Sequence, residues 1–140
     1  EEQYEAFKKQ FEKVVSETID PKLLQPEIVV DAKISMHQIT PKLMRILKQF
    51  APFGPGNMTP IFMAESLKDT GYARGVGEGE KHLKCSLYQP GSNPIGGIGF
   101  NLGDKLDIVK GIKPFDAVFS LDENEWNGTV SLQLKLRDIR

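Results

Sequence analysis

The chain has 140 residues, of which 39% are hydrophobic, and 18 basic residues against 19 acidic ones give it a formal net charge of −1. This balance excludes a strong overall attraction to polyanions, so any nucleic-acid binding must come from a local patch. One cysteine, Cys85, excludes an intramolecular disulfide and a cysteine-rich metal site. No apolar run approaches the roughly 18 residues of a membrane helix. We therefore expect a soluble, cytoplasmic protein with no membrane partner.

The first part of the chain has mostly helical periodicity. Between Tyr4 and Thr18 apolar residues recur every three or four positions, which predicts an amphipathic helix. The chain has no initiator Met and opens within this helix, so we expect a piece of a longer protein. Alternating residues over 27–34 predict a strand whose partner the sequence does not reveal. Thr40 followed by Pro41 predicts the start of a second helix. Its buried face is expected to contain Leu43, Met44, Ile46, Leu47 and Phe50.

A stretch rich in proline and glycine, 51–60, follows the second helix and predicts a hinge. Its three prolines fix φ and remove amide donors, so neither a helix nor an interior strand continues through it. Phe53 lies within the hinge. We expect it to pack against another domain or a partner rather than to bind a small ligand, because apolar residues at such boundaries usually pack.

Two-residue periodicity takes over after the hinge. A bent strand is expected over 61–76, with a bulge or break at 69–71. The residues 82–88 alternate more clearly and predict a strand, as does the glycine-rich stretch 95–100. The segment 75–79 resembles a phosphate-binding loop only superficially, since it lacks the Lys-Ser/Thr ending and a following helix. It is interpreted as a hairpin turn.

A short helix and a last hairpin complete the pattern. The apolar spacing over 102–109 predicts about two helical turns, closed by Gly111. Strands are predicted at 115–121 and 129–137, and the Asn-Gly step at 127–128 between them is a strong hairpin signal. The inner face of the last strand is expected to contain Val130, Leu132, Leu134 and Leu136.

The order of these elements predicts the fold class. Three strands, a short helix and two further strands follow one another as in an oligonucleotide/oligosaccharide-binding (OB) barrel. We therefore expect an α+β protein, with a five-stranded antiparallel OB-like β-barrel preceded by a small helix-strand-helix segment. A plain antiparallel sandwich is the alternative.

Cations and aromatic residues on the outward strand faces are the candidate nucleic-acid-binding residues, because such side chains stack bases and neutralise phosphates. The alternative is that they are ordinary solvated strand faces. Three roles are open for Trp126: stacking on a base, anchoring a partner, or covering the open end of the barrel. A structural or interdomain role is favoured. The nucleic-acid-binding candidates are Arg74, Lys81, His82, Lys84, Tyr88, Lys135 and Arg137.

The sequence contains no recognisable catalytic constellation. His37 and His82 have no second histidine at metal-ligand spacing. The carboxylates over 122–125 belong to a predicted hairpin, where acidic residues are usually solvated. No serine lies in a nucleophile elbow. We predict neither a catalytic residue nor a metal ligand in this chain.

Several short motifs occur in one order over nearly the whole chain, at 51–57, 82–84, 124–128, 132–134 and 137–140. They read Ala-Pro-Phe-Gly-Pro-Gly-Asn, His-Leu-Lys, Asn-Glu-Trp-Asn-Gly, Leu-Gln-Leu and Arg-Asp-Ile-Arg. As a set, they resemble the C-terminal region of the RecJ family, the exonucleases specific for single-stranded DNA.

The resemblance implies a division of the chain into two parts. Residues 1–57 are similar to the C-terminal tail of a DHH-associated domain with its Pro/Gly hinge, and residues 58–140 to the OB barrel. The implied parent is a 5′–3′ exonuclease of DNA repair and recombination, with manganese or magnesium held by a DHH domain whose motifs this sequence lacks. No cofactor is implied for the chain itself.

The same resemblance leaves two functions open. In the first, the chain is an accessory region that binds single-stranded DNA and contacts the catalytic domains of its parent. In the second, it is an interdomain or protein–protein docking module that supports the nuclease core without binding DNA itself.

Overall fold

The computed structural model describes residues 2–24 and 27–140. Within these residues there are three α-helices, at Glu2–Thr18 (α1), Pro41–Lys48 (α2) and Leu106–Lys110 (α3). The same residues contain seven strands, at Ala32–Lys33 (β1), Phe62–Asp69 (β2), Arg74–Val76 (β3), His82–Tyr88 (β4), Ile95–Gly99 (β5), Phe115–Trp126 (β6) and Thr129–Ile139 (β7). No helix in this part of the chain combines the length and the hydrophobicity needed to span a membrane.

Five of the strands form a closed ring in the order β2, β6, β7, β5, β4. The ring closes where β4 pairs with β2 at Lys68 and Tyr88. β5 and β7 are parallel. In the chain they are separated by α3 and by β6, which is antiparallel to β7. The predicted OB-like barrel is confirmed, and the closed ring excludes the sandwich. The sheet is mixed, however, rather than antiparallel throughout.

The core of the barrel contains the alternating apolar residues that the sequence predicts. On β4, Leu83, Cys85 and Leu87 are at most 1% exposed. Phe115, Ala117, Phe119 and Leu121 of β6 are buried, as predicted for that strand. Val109 of α3 is buried at the end of the same core. Each fully buried Leu or Phe side chain stabilises the fold by about 1.5–3 kcal/mol, so the barrel has a substantial core of its own.

The predicted bent strand over 61–76 is broken into β2 and β3. Asp69 explains the break, because its carboxylate accepts hydrogen bonds from three backbone N–H groups. One oxygen accepts from Gly71 (2.7 Å) and Ala73 (2.9 Å), and the other from Ser86 on β4 (2.8 Å). The chain therefore turns at Asp69, and β3 pairs with β4 as a hairpin. The hairpin predicted at 75–79 is confirmed.

The last hairpin is longer than predicted. β6 continues to Trp126, and the two turn residues Asn127 and Gly128 have φ of 50° and 75°. This is the left-handed geometry that an Asn-Gly step favours. The predicted burial of Val130 is wrong: its side chain is 56% exposed, because this part of the hairpin extends beyond the barrel.

The N-terminal segment agrees with the prediction in its helices but not in its strand. Helix α1 is present, and the strand predicted at 27–34 is reduced to β1, which is parallel to the start of β2. The partner strand begins only at Phe62, directly after Pro60 and Ile61. Because proline has no amide donor, the ladder does not extend further in that direction.

Helix α2 begins as predicted, with the Thr40 hydroxyl accepting a hydrogen bond from the Leu43 N–H group at 3.2 Å. Only Met44 is buried, and Leu43 and Leu47 are half-buried. The predicted burial of Ile46 and Phe50 is wrong. Ile46 is two positions from Met44 and so lies on the other side of the helix, and Phe50 follows its end.

Candidate nucleic-acid interface

A row of side chains crosses the outer surface of the barrel from β3 to β7. Arg74 pairs with Lys84, Lys84 with Ile98, and Ile98 with Lys135. Neighbouring strands lie about 4.8 Å apart, so the row is about 14 Å long. It brings together three of the predicted nucleic-acid-binding residues from three different strands.

This row lies along a groove of about 480 Å³, which we call the basic groove. A second groove of about 910 Å³ is continuous with it, because Lys84, Asn124 and Gln133 line both. One carboxylate, Asp122, also lies on the basic groove, and its Oδ1 accepts the N–H of Glu123 at 2.9 Å. The residues that define the basic groove are Arg74, Lys84, Ile98, Phe100, Gln133 and Lys135.

The three cations of the row have no acidic partner among the residues that the structure describes. Within residues 2–24 and 27–140, ion pairs join Lys33 to Glu65, Lys48 to Glu123 and Lys105 to Asp138. None of these pairs involves Arg74, Lys84 or Lys135. Their charges are therefore available to a ligand.

Two exposed aromatic side chains accompany the cations. Tyr72 is 43% exposed, and its ring lies 4.8 Å from the guanidinium carbon of Arg74, which also donates from Nη2 to the Tyr72 hydroxyl at 3.0 Å. Phe100 is 55% exposed at the end of β5. Neither residue is among the site residues that the sequence predicts. Phe100 had a usable signal, since it shares its outward strand face with Ile98 beside three glycines.

His82 lies next to Phe100 but not along the groove. Its ring meets Phe100 edge-on, with 5.3 Å between the ring centroids, and its Nδ1 accepts the backbone N–H of Asn101 at 3.1 Å. Phe100 directly follows Gly99, the partner of Leu83 in the ladder, so His82 and Phe100 are neighbours on the outer face.

The remaining predicted cations and the tyrosine lie apart from the row. Lys81 precedes β4 and is exposed, and Tyr88 ends β4 where that strand meets β2. A bulge opposite Val118 and Phe119 leaves Arg137 as an extra residue in β7. Arg137 lines a separate groove with Met63, and so does not continue the row from Lys135.

The two predicted partner contacts have different outcomes. Phe53 is 37% exposed in the hinge, which Asn57 holds by donating from Nδ2 to the carbonyls of Phe50 and Pro52 at 2.7 and 2.9 Å. Phe53 is therefore accessible to another domain. The side chain of Trp126 lies outside the described residues.

Comparison with known proteins identifies the barrel. The family model of the RecJ OB domain matches residues 30–138. The chain belongs to this family. It is 31% identical to the single-stranded-DNA-specific exonuclease RecJ of Escherichia coli strain K12 and 30% identical to that of Salmonella typhimurium strain LT2, over 99% of the chain in each case. The resemblance to RecJ is confirmed.

A solved RecJ structure agrees with the same assignment. RecJ from Thermus thermophilus, crystallised in complex with Mn²⁺, matches 96% of the chain with a TM-score of 0.67 and 26% sequence identity. The chain covers 18% of that RecJ and 24% of each of the two curated relatives. It thus spans about a quarter of the length of the curated RecJ proteins it matches.

Two features of the described residues bear on metal binding and on thiol chemistry. RecJ from Thermus thermophilus was crystallised with Mn²⁺ and with Mg²⁺. In the described part of this chain, no group of three or more His, Cys, Asp or Glu residues is placed to hold a metal ion. Burial, with a smaller contribution from Asp69, raises the pKa of Cys85 to about 12 against a hydrogen bond from Gly97, so its thiol stays protonated and unreactive.

Proposed function

We propose that this chain is the single-stranded-DNA-binding region of a RecJ-like 5′–3′ exonuclease of DNA repair and recombination, and that the basic groove binds the strand. The observation that carries the proposal is the row of three cations, none of which forms an ion pair within the described residues. OB barrels bind oligonucleotides on the face formed by their second and third strands, which are β4 and β5 in this chain. Lys84 and Ile98 lie on that face.

Without a bound ligand, the row of cations lowers the stability of the fold. Arg74 and Lys84 are directly opposite each other in the β3–β4 ladder, and like charges in that position are destabilising. Phosphate groups of a bound strand offset this repulsion and release counterions. The arrangement therefore favours an anionic ligand over a solvated strand face.

The exposed aromatic residues favour a single strand over a duplex. A base stacks on an aromatic ring only when it is unpaired and splayed out, and each stacked base contributes about 1–3 kcal/mol. Tyr72 and Phe100 are exposed next to the cations. A duplex hides its base faces, so it meets only the charges of the groove.

The proposal is tested by titrating the chain into a fluorescein-labelled oligothymidylate of about 12 nucleotides, within the site sizes of OB folds. A duplex of the same length is the control, and salt is varied. Lys84→Gln/Lys135→Gln is expected to bind about tenfold more weakly and to lower the salt slope by about 0.7 for each phosphate that the variant no longer neutralises.

The matched control is Lys8→Gln/Lys9→Gln, which removes two exposed cations from α1. It is expected to leave both affinity and salt slope unchanged. Equal weakening by the two double variants would show non-specific attraction, and absence of single-strand binding by the wild-type chain at low salt would refute the proposal.

We also propose a role for residues 1–57, as the tail of a DHH-associated domain that packs against the catalytic domains of the parent enzyme. The exposed apolar stripe of α1 and the accessible Phe53 support this contact. In this proposal the parent holds manganese or magnesium in those catalytic domains and works in the cytoplasm. A protein–protein docking role without DNA binding leaves the unpaired row unexplained.

A further inference from the structure

His82 lies beside Phe100 on the outer face of the barrel. Its ring is half-buried between two pieces of backbone. On one side is Gly77, where a Cβ atom would lie 2.9 Å from His82 Cδ2. On the other side is the turn after β5, through the edge-on contact with Phe100. The ring is therefore held in place, and it does not line the basic groove.

The turn after β5 is fixed by two hydrogen bonds that it donates to Lys81 and His82. Asn101 has φ of 58°, a left-handed conformation that is uncommon outside glycine, and its N–H donates to His82 Nδ1 at 3.1 Å. Two residues later the Gly103 N–H donates to the Lys81 carbonyl at 2.9 Å. Together these bonds set the direction in which Phe100 leaves the strand.

The hydrogen bond also occupies one edge of the imidazole ring. Nδ1 accepts a hydrogen bond from the Asn101 N–H group, so its lone pair is engaged within the turn. Only the Nε2 edge of the ring is then left to contact another group. A ring outside the groove, with Nδ1 engaged by the turn, is poorly placed to pair with a phosphate in the groove, which is the direct role that the sequence suggests for His82.

We infer that His82 is a positioning residue for single-strand binding, which holds Phe100 exposed as a platform for one base. The inference rests on the proposed function of the basic groove. His82 acts on the ligand through Phe100, by accepting the Asn101 amide and packing against the edge of the ring.

The test compares His82→Leu, His82→Asn and Phe100→Ala in titrations with the labelled oligothymidylate. Phe100→Ala is expected to weaken binding about tenfold, as for the loss of one stacked base. His82→Leu keeps the size of the side chain but removes the acceptor, and is expected to cause part of that loss. His82→Asn is expected to recover part of the affinity lost in His82→Leu, because Asn Oδ1 replaces Nδ1 as the acceptor although the ring contact with Phe100 is lost.

Two readouts separate positioning from direct contact. In the Phe100→Ala background, His82→Leu is expected to have no further effect on affinity, and in the wild-type background it is expected to leave the salt slope unchanged. Amide hydrogen exchange at Asn101 is expected to be slow in the wild type and His82→Asn but fast in His82→Leu, with the exchange of core amides unchanged.

Several results would overturn the inference. Additive losses in the double variant together with a reduced salt slope would assign His82 a direct phosphate contact. A loss in Phe100→Ala without one in His82→Leu would remove the positioning role while leaving the groove intact. Absence of single-strand binding by the wild-type chain would refute the proposed function and this inference with it. This outcome is distinguishable from failure of the positioning role alone, because it is seen without any variant.

Discussion

The barrel and helix α1 both carry continuous apolar faces, but they differ in what covers them. Inside the barrel, the apolar residues of β4 belong to one core with those of the neighbouring strands, and almost none of their surface is exposed. Along α1, Phe7 and Phe11 are 65% and 57% exposed and stack on each other at 5.9 Å between ring centroids. The barrel thus has its own core, and the helix does not.

An amphipathic pattern therefore predicts which face of a helix or strand is apolar, but it does not predict what packs against that face. A strand in a closed ring meets its neighbours within the same domain, so its inner face is buried as soon as the ring closes. A helix joined by a loop has no such constraint. The proposed contact between residues 1–57 and the rest of a RecJ-like parent accounts for the stripe left exposed on α1.

The largest expected effect compares one phenylalanine from each region. Phe119→Ala removes a fully buried ring from the barrel and is expected to lower the free energy of unfolding by about 3–5 kcal/mol. Phe11→Ala loses only an exposed stacked pair on α1, and about 0.5 kcal/mol or less is expected. Urea denaturation measures both. A comparable loss of stability in Phe11→Ala would mean that the apolar stripe of α1 is covered in solution. If that loss depended on protein concentration, the cover would be a second copy of the chain.

A smaller effect is expected at the turn beside the groove. At Gly103 an added Cβ atom would overlap the Glu80 carbonyl oxygen, so Gly103→Ala is expected to cost about 1–3 kcal/mol through overpacking. Gly96→Ala is the matched control on β5, where nothing lies within 4 Å of the added atom. Thermal unfolding of the two variants checks the difference. Equal melting temperatures would show that the turn is not packed against residues 80–81.

The smallest expected effect is a loss of stability between pH 8 and pH 10 that comes from the buried thiol of Cys85. The pKa of Cys85 rises from its ordinary value of 9.0 to about 12 in the folded state. Below pH 9 both states keep the proton and stability is complete. Above pH 9 the unfolded chain loses the proton first, so the thiol is expected to lower stability by up to about 1.4 kcal/mol per pH unit until about pH 12.

Cys85→Val removes the titrating group while keeping an apolar side chain of similar size. The difference between wild type and variant, measured by urea denaturation at pH 8 and pH 10, isolates the contribution of Cys85 from that of the lysines and tyrosines. An unchanged difference between the two pH values would mean that the thiol is accessible and the barrel interior is open to water.

The sequence predicts the parts of this fold that depend on neighbouring residues. The alternation in β4, the Asn-Gly turn and the Thr-Pro helix start are local signals, and all three are confirmed. The sequence also predicts a bulge or break at 69–71, but the cause of the break is a side chain that reaches Ser86 on another strand. The shortened strand before Ile34 and the exposure of Val130 depend on where partner strands begin and end, which local periodicity does not encode.

The candidate site follows the same division. Alternation identifies Lys84 and Lys135 as outward residues, and the structure brings them into one row with Arg74 through pairings that are distant in sequence. The alternation in the sequence does not reveal the bulge at Arg137, which takes this residue out of the row that contains Lys135. Tyr72 and Phe100 were missed because the exposure of an aromatic ring depends on what the rest of the fold leaves uncovered.

The central claim is that a single strand lies along the basic groove, and backbone NMR during titration with unlabelled oligothymidylate tests it most directly. We expect the largest chemical-shift changes at Arg74, Lys84, Ile98, Phe100 and Lys135, with the amides of α1 unchanged. Changes concentrated on α1 or around Arg137, with the groove amides unaffected, would contradict the account.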